Sequence, residues 1–265
     1  MAKISEKAVQ MPASAIRKLV PFADAAKKQG VKVYHLNLGQ PDIKSPVCAL
    51  DAVRNYSLEN VSYSHSAGLM ELRRGLVEKY YRKIGIDLTV DELIVTVAGS
   101  ESVNLALEIT CNPGDEVIVL EPFYTNYNTF AFMNGLTLKA IPTDIRNGFQ
   151  IPPIEEFEKA ITDKTKAILV CNPGNPTGTQ YSKESMLALG EIARKHDLFL
   201  LSDEVYREFC YTDEPHFSAM NIPGLEQNVV LIDSVSKRYN LCGARVGCIV
   251  SHNKDVMTAA MKFAQ

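Results

Sequence analysis

The chain has 265 residues, 46% of them hydrophobic and 22% charged, with a net charge of -3. That length holds one large α/β domain, or a domain and a half, around a sizeable core. The acidic balance offers no positive field to nucleic-acid phosphates, no apolar run approaches the roughly 20 residues of a membrane span, and the N-terminus lacks the apolar stretch of a secretory signal.

The six cysteines form no C-x-x-C pair, and the five histidines show no ligand spacing with them. Reduced thiols in a cytoplasmic protein are therefore expected, with no metal site. There is no internal repeat and no low-complexity tract.

In chain order, a helical pattern over residues 14–29 stops at Gly30, and the short extended run "KVYHLNLG" comes next. "SPVCALDAVRNYS" and "AGLMELRRGLVEKYYRKIG" read as helices. In the second, Leu69, Leu72, Leu76 and Tyr80 repeat at helical spacing, and the pattern stops before Gly85. From Asp91 strands and helices alternate. "ELIVTVAG" is a strand, "SESVNLALEIT" a helix, "DEVIVLEP" a strand, "YNTFAFMNG" a helix and "LTLKAIPT" a strand. "IEEFEKAI" is then a helix, "KAILVCNP" a strand and "KESMLALGEIARKH" a helix. "LFLLSDEVY", "VVLIDS" and "ARVGCIVS" come after it as strands, and "KDVMTAAMKFAQ" begins a last helix.

Short, continuously apolar strands of this kind belong to a mostly parallel sheet covered by helices on both faces, an αβα arrangement of three layers. In such sheets chemistry collects at the carboxyl ends of the strands. The polar residues that draw notice stand just past "VTVA", "VIVL", "ILVC", "FLLS" and "VVLID". Among them Lys237 stands at the mouth of a buried strand. A lysine in apolar surroundings is disfavoured as a cation and becomes a usable amine, as Schiff-base chemistry requires. The final helix is still running at Gln265 without a stop signal, so a truncated chain or a missing further domain is expected.

Taken together, "LNLGQPD", "YSHSAGLMELRRGL", "VTVAGSES", "NPGDEVIVLEPFY", "CNPGNPTG", "LSDEVY" and "SVSKRYNLCGARVG" resemble the class I and II aminotransferases, of fold type I among the pyridoxal-phosphate enzymes. The resemblance runs the length of the chain and is nearest to the aspartate aminotransferase-like branch. It implies a large cofactor-binding domain over residues 46–250. Residues 1–45 would belong to a small domain and dimer arm, and residues 251–265 would open an interdomain helix, with the C-terminal small domain absent.

The resemblance also assigns roles residue by residue. Lys237 would carry pyridoxal 5'-phosphate as a Schiff base and move a proton at the substrate's α-carbon. Arg245 and Ser236, with Ser234 as a third, would hold the phosphate, and Gly243 and Gly247 would let the backbone approach. Gly99 and Ser100 would add the N-terminus of a helix to the same phosphate, although Ser100 alone reads equally as an N-cap. Glu101 departs from the pattern, since a neutral residue is expected beside a dianion; a side chain turned away would reconcile the two. Asp203 would keep the pyridine nitrogen protonated, where an isolated Ser-Asp pair also suits a turn cap.

Tyr206 and Asn175 would hydrogen-bond the cofactor's O3′ oxygen. Tyr124 would stack on the ring where several relatives carry tryptophan, and it reads otherwise as a core aromatic. Tyr63 would reach the phosphate of a neighbouring subunit, making the site the property of a homodimer, though a loop aromatic reads as well. Gly39 would lie near the substrate carboxylate. The family's main carboxylate-binding arginine would fall beyond Gln265, and no arginine present matches its motif.

The expected activity is transfer of an amino group between an L-amino acid and a 2-oxo acid. Other readings keep the cofactor and change the reaction, as in a C–S lyase, or keep only the binding, as in a regulatory module. The latter would need a basic helix-turn-helix upstream, which the residues before "LNLGQPD" are too few to hold. No G-x-G-x-x-G comes after a strand, which disfavours a nucleotide-dependent dehydrogenase.

Overall fold

The computed structural model describes residues 2–14, 16–37, 39, 41–57 and 59–265; Leu38 and Gln40 of "LNLGQPD" lie outside them. Its centre is a seven-stranded sheet: β1 (Leu93–Val97), β2 (Glu116–Glu121), β3 (Thr137–Pro142), β4 (Thr165–Cys171), β5 (Phe199–Asp203), β6 (Val229–Ser234) and β7 (Val246–Val250). The spatial order is β1-β7-β6-β5-β4-β2-β3. The pairings from β3 through β2, β4 and β5 to β6 are parallel, and β7 runs antiparallel to both β6 and β1. The carboxyl ends of β1, β2, β4, β5 and β6 therefore share one edge with the start of β7.

Strand alternation explains why these segments are apolar throughout. Ile168 and Val170 of β4, Leu200 of β5 and Leu231 of β6 enter one core, while Ala167, Leu169, Leu201 and Ile232 enter the other. The helices, in chain order, are α1 (Glu6–Gln10), α2 (Val20–Lys28), α3 (Val47–Arg54), α4 (Met70–Arg74), α5 (Ala98–Thr110), α6 (Asn126–Met133), α7 (Ile154–Ala160), α8 (Lys183–Lys195), α9 (Val235–Arg238) and α10 (Lys254–Phe263). Helices α7 and α8, through Phe157, Met186 and Leu189, cover the first core, joined by Val77 and Tyr81. Helices α5, α6 and α10, through Leu107, Tyr127 and Val256, cover the second. The expected three-layer αβα architecture is present.

The extended run "KVYHLNLG" joins no sheet where it is described. Two local expectations need correction. The helix expected over "AGLMELRRGLVEKYYRKIG" begins only at Met70 and is not one regular helix. It passes from α4 into a π-helical turn at Gly75–Tyr80 and a 3₁₀ turn at Tyr81–Ile84, ending on left-handed Gly85. The helix placed over residues 14–29 begins later: a 3₁₀ turn at Arg17–Leu19 leads into α2. Helices α1, α2 and α3 carry no buried residue. Among the described residues no helix is long and apolar enough to cross a membrane.

Candidate functional site

The candidate residues gather along that shared edge because neighbouring strands end there together. In β5 and β6, Asp203 is paired with Ile232, two residues before Ser234. In β6 and β7, Ser234 is paired with Gly247, two residues after Arg245. Adjacent strands lie only about 4.8 Å apart, so Asp203, the Ser234–Lys237 turn and Arg245 are lateral neighbours. Helix α5 springs from β1 in the same row, beginning at Ala98 with a left-handed backbone (φ 64°). A Cβ on Gly99 would stand 3.7 Å from the Ser234 Cβ, which sets the start of α5 against the end of β6.

Gly247 is fixed by close approach. A Cβ there would sit 2.5 Å from the Ala98 carbonyl carbon, 2.7 Å from the Gly99 nitrogen and 2.8 Å from the Asp233 oxygen, all main-chain atoms that cannot step aside. Gly247→Ala is therefore expected to destabilise the fold by about 3 kcal/mol, visible as a melting temperature lower by roughly 6–12 °C; an unchanged melt would contradict the packing argument. At Gly243 nothing lies within 4 Å of the position a Cβ would take, so no protein neighbour requires glycine there.

At the anion end, α5 begins without any side-chain cap. Ser100 is not the N-cap: it lies inside the first turn of the helix, half-buried. The first N–H groups of α5 are left to serve a ligand. Glu101 turns back over the first turn of α5 and accepts from the N–H of Val97, the N-cap residue. The Ser234 hydroxyl lies 2.7 Å from the Ser236 Oγ and 3.0 Å from the Val246 carbonyl oxygen, and it accepts from the Ser236 N–H at 3.1 Å. Arg245 is exposed, takes a left-handed backbone (φ 54°) and donates from Nη1 to the Cys242 carbonyl at 2.9 Å.

At the other end Asp203 is buried. Its Oδ2 accepts from the Tyr127 hydroxyl at 2.7 Å and its Oδ1 from the Val205 N–H at 3.3 Å. Burial pushes its carboxyl up to about 6, those two donors oppose the rise, and the charges of Asp233 and Glu204 add to it. Tyr206 accepts from Asn175 Nδ2 at 3.3 Å, bringing together the two residues expected at one cofactor oxygen. Burial raises the Tyr206 and Tyr124 phenols; the Asp203 charge adds to both, and Arg245 opposes the rise at Tyr124, so all four share one electrostatic neighbourhood. Tyr124 accepts from Asn126 Nδ2 at 2.7 Å and meets Tyr127 edge-on.

Lys237 does not lie in the apolar surroundings expected of it. It is half-buried, and its Nζ donates to the Gly39 carbonyl at 2.7 Å. Ser45 Oγ donates to the Asn240 carbonyl at 2.6 Å in the same stitching. Gly39 is thereby brought to the lysine. Tyr63 is fully exposed and is not brought into the cluster within this single chain.

Sequence reasoning missed Tyr127, whose partner Asp203 lies 76 positions away, and Asn126, which fixes the Tyr124 hydroxyl. Among the described residues no group of His, Cys, Asp and Glu is placed to hold a metal ion.

The arrangement can hold a small molecule that joins an anionic group to a cationic ring. Three carboxylates are buried among the described residues: Asp203, Glu204 and Asp233. Glu204 is paired with Arg207 at 2.7 Å and Asp233 with Arg238 at 2.8 Å, while Asp203 has no cationic side chain within ion-pair distance. A buried carboxylate without a cation of its own suits a protonated heterocycle, and the uncapped α5 with two serines and Arg245 suits its phosphate.

Comparison with known proteins places this edge in context. The family model for aminotransferase class I and II matches residues 31–265. The putative aminotransferase YugH of Bacillus subtilis is 37% identical over 266 residues, covering 98% of this chain and 67% of that protein. The aspartate aminotransferase of Thermotoga maritima is 33% identical, covering 98% and 68%. A crystal structure of a Thermotoga maritima aspartate aminotransferase superposes with a TM-score of 0.91 at 32% identity, over 98% of this chain and 69% of that one. The chain thus spans about two thirds of the length of these relatives.

Proposed function

The chain belongs to the class I and II aminotransferases, a family of pyridoxal 5'-phosphate-dependent transaminases, and from that membership we propose a role for each residue of the site. The observation that carries these roles is Asp203: a buried carboxylate with no cation of its own, one strand from a lysine turn whose start, Ser234, abuts the uncapped end of α5. Bound here, the cofactor supplies an electron sink for the electrons of a broken bond at the substrate's α-carbon.

The protein's own groups do the rest. Asp203 holds a proton on the heterocycle nitrogen, and the Tyr127 hydroxyl and Val205 N–H orient its carboxylate. Tyr206 and Asn175 orient the ring oxygen and Tyr124 its face. Gly99, Ser100, Ser234, Ser236 and Arg245 bind the phosphate. Lys237, whose Nζ here donates to the Gly39 carbonyl, would hold the cofactor's aldehyde carbon and, once the substrate's amino group has displaced it as a free amine, would carry the proton at the substrate α-carbon; Gly39 would present its backbone near the substrate carboxylate.

The substrates are an L-amino acid and a 2-oxo acid, with aspartate-like donors favoured by the names of the relatives. The protein works in the cytoplasm as a homodimer in which Tyr63 of one copy reaches the phosphate site of the other; its full exposure here supports that reading. Residues 46–250 form the cofactor domain, residues 1–45 belong with a smaller domain and dimer arm, and residues 251–265, whose helix α10 packs on the second core, open the interdomain helix.

The test is a panel of amino acids scored for 2-oxo acid formation with and without a 2-oxo acid acceptor, in the presence of pyridoxal 5'-phosphate. Catalytic turnover that requires the acceptor is expected. Turnover without it, releasing ammonia or sulfide, would replace transamination by a lyase reaction.

A further inference from the structure

Behind the sheet, opposite the candidate site, lies a charged cluster that no role above uses. It forms because residues flanking the site alternate in direction. Asp203 faces the site and Glu204 the far side; Tyr206 faces the site and Arg207 is buried with Glu204; Lys237 faces the site and Arg238 turns under the sheet. Arg238 Nη2 donates to both carboxylate oxygens of Asp233 at 2.8 Å, with side chains only 4% and 1% exposed. The rest of the shell is specific. Tyr81 donates to Asp233 Oδ2 at 2.7 Å, and the Ser234 N–H donates to Oδ1 at 2.7 Å. The Arg238 guanidinium lies 3.8 Å from the centroid of the Tyr80 ring, and its Nε is 3.0 Å from Glu208 Oε2.

Two observations argue that this cluster does more than fill space. Arg238 and Asp233 bracket α9, the four-residue helix that carries Lys237, so their pairing closes a loop around the lysine. Tyr80 ends the π-helical turn, a helix irregularity that is rare and recurs at functional positions, and Tyr81 opens the 3₁₀ turn after it. That turn and the 3₁₀ turn after it set Tyr80 and Tyr81 edge to face, with centroids 5.1 Å apart, between Arg238 and Arg207.

We propose that Asp233 and Arg238 form a positioning pair that aims Lys237 at the cofactor, holding its turn from the opposite face of the sheet. They touch neither cofactor nor substrate, and they act through the backbone of α9. The inference rests on Lys237 being the cofactor lysine. It excludes a role for the pair in gripping the phosphate or the ring, since both residues face the other core.

The test separates reaction at Lys237 from binding of the cofactor. Removing both charges together, in Asp233→Asn with Arg238→Gln, avoids an orphaned buried ion. The protein and this double variant are mixed with pyridoxal 5'-phosphate, quenched with borohydride at intervals, and the label on the Lys237 peptide is measured over time by mass spectrometry. Affinity for pyridoxamine 5'-phosphate, which cannot condense with a lysine, is measured alongside.

The expected result is a labelling rate at least about tenfold slower, with pyridoxamine 5'-phosphate affinity within about twofold of the unsubstituted protein. Equal labelling rates would overturn the proposal, and so would equal losses in rate and affinity, which would mark a merely structural role. Should the double variant not fold, Arg238→Lys decides: it keeps the charge and loses the flat face over Tyr80, and an unchanged labelling rate in it would overturn the proposal. Absence of label on Lys237 in the unsubstituted protein would instead remove the functional reading itself and this inference with it.

Discussion

Replacing Lys237 by alanine is expected to abolish amino-group transfer, lowering it at least about 10⁴-fold, while the melting temperature moves by less than about 2 °C. The two halves of that expectation come from different features. Chemically, Lys237 offers the one amine on the β6–β7 turn directed to the site side, so no neighbour can join the cofactor or carry the α-proton in its place; Arg238, next in sequence, is committed to Asp233. Structurally, the lysine side chain is half-buried and makes a single hydrogen bond, to the Gly39 carbonyl at 2.7 Å. Losing such a contact typically changes stability by no more than about 0.5 kcal/mol. A transamination assay paired with thermal unfolding checks both parts. An active variant would displace Lys237 from the chemistry, and a strongly destabilised one would show that the turn depends on it for folding.

Asp203→Asn is expected to make the cofactor-free protein more stable and the enzyme nearly inactive. Burial pushes the Asp203 carboxyl from 3.8 in the reference state to about 6, against the opposing donors Tyr127 and Val205. Folding therefore favours the protonated acid. The stability this contributes is complete below about pH 4 and is lost as the pH rises through about 6, so that above it the ionised group costs the fold roughly 3 kcal/mol. Asparagine, neutral throughout, does not carry that cost. At pH 8 the variant is expected to be about 1–3 kcal/mol more stable than the parent, with the difference vanishing near pH 4.

The same neutrality removes the group proposed to keep the heterocycle protonated, and a loss of about 10²–10³ in turnover is expected. Denaturant titrations at the two pH values, with assays at pH 8, check the pair of effects. A variant less stable than the parent at pH 8, or one with normal turnover, would show that the Asp203 charge is compensated by something other than the cofactor.

The strands and most of the site were legible in the sequence for the same physical reason. Covering a parallel sheet on both faces leaves continuous apolar runs such as Ile168–Val170 and Val229–Ile232, and the polar residues that end each run sit at the shared edge. Lys237, Asp203, Arg245, Tyr206 and Asn175 all stand next to strand ends in this way. The rest depended on distance in space. Nothing near Tyr127 signals a hydrogen bond to a carboxylate 76 residues on, and nothing near Tyr81 signals one to Asp233, 152 residues on. Periodicity over Leu69–Tyr80 showed a helix but not its π-helical turn, because the 3.6-residue rhythm is nearly the same until the ladder of hydrogen bonds shifts. The apolar surroundings expected of Lys237 failed for a related reason: Gly39 and Ser45, far off in the chain, bring a polar carbonyl and a hydroxyl to the turn.

The central claim is that one amine at the carboxyl edge of this sheet condenses with a phosphorylated aldehyde whose ring nitrogen rests on Asp203. Borohydride reduction of the protein mixed with pyridoxal 5'-phosphate, with peptide mass spectrometry as the readout, tests it most directly. The account predicts stoichiometric label on the peptide containing Lys237 and a sharp reduction of that label in Asp203→Asn at pH 8. Label spread over several surface lysines, or confined to a lysine elsewhere in the chain, would contradict it.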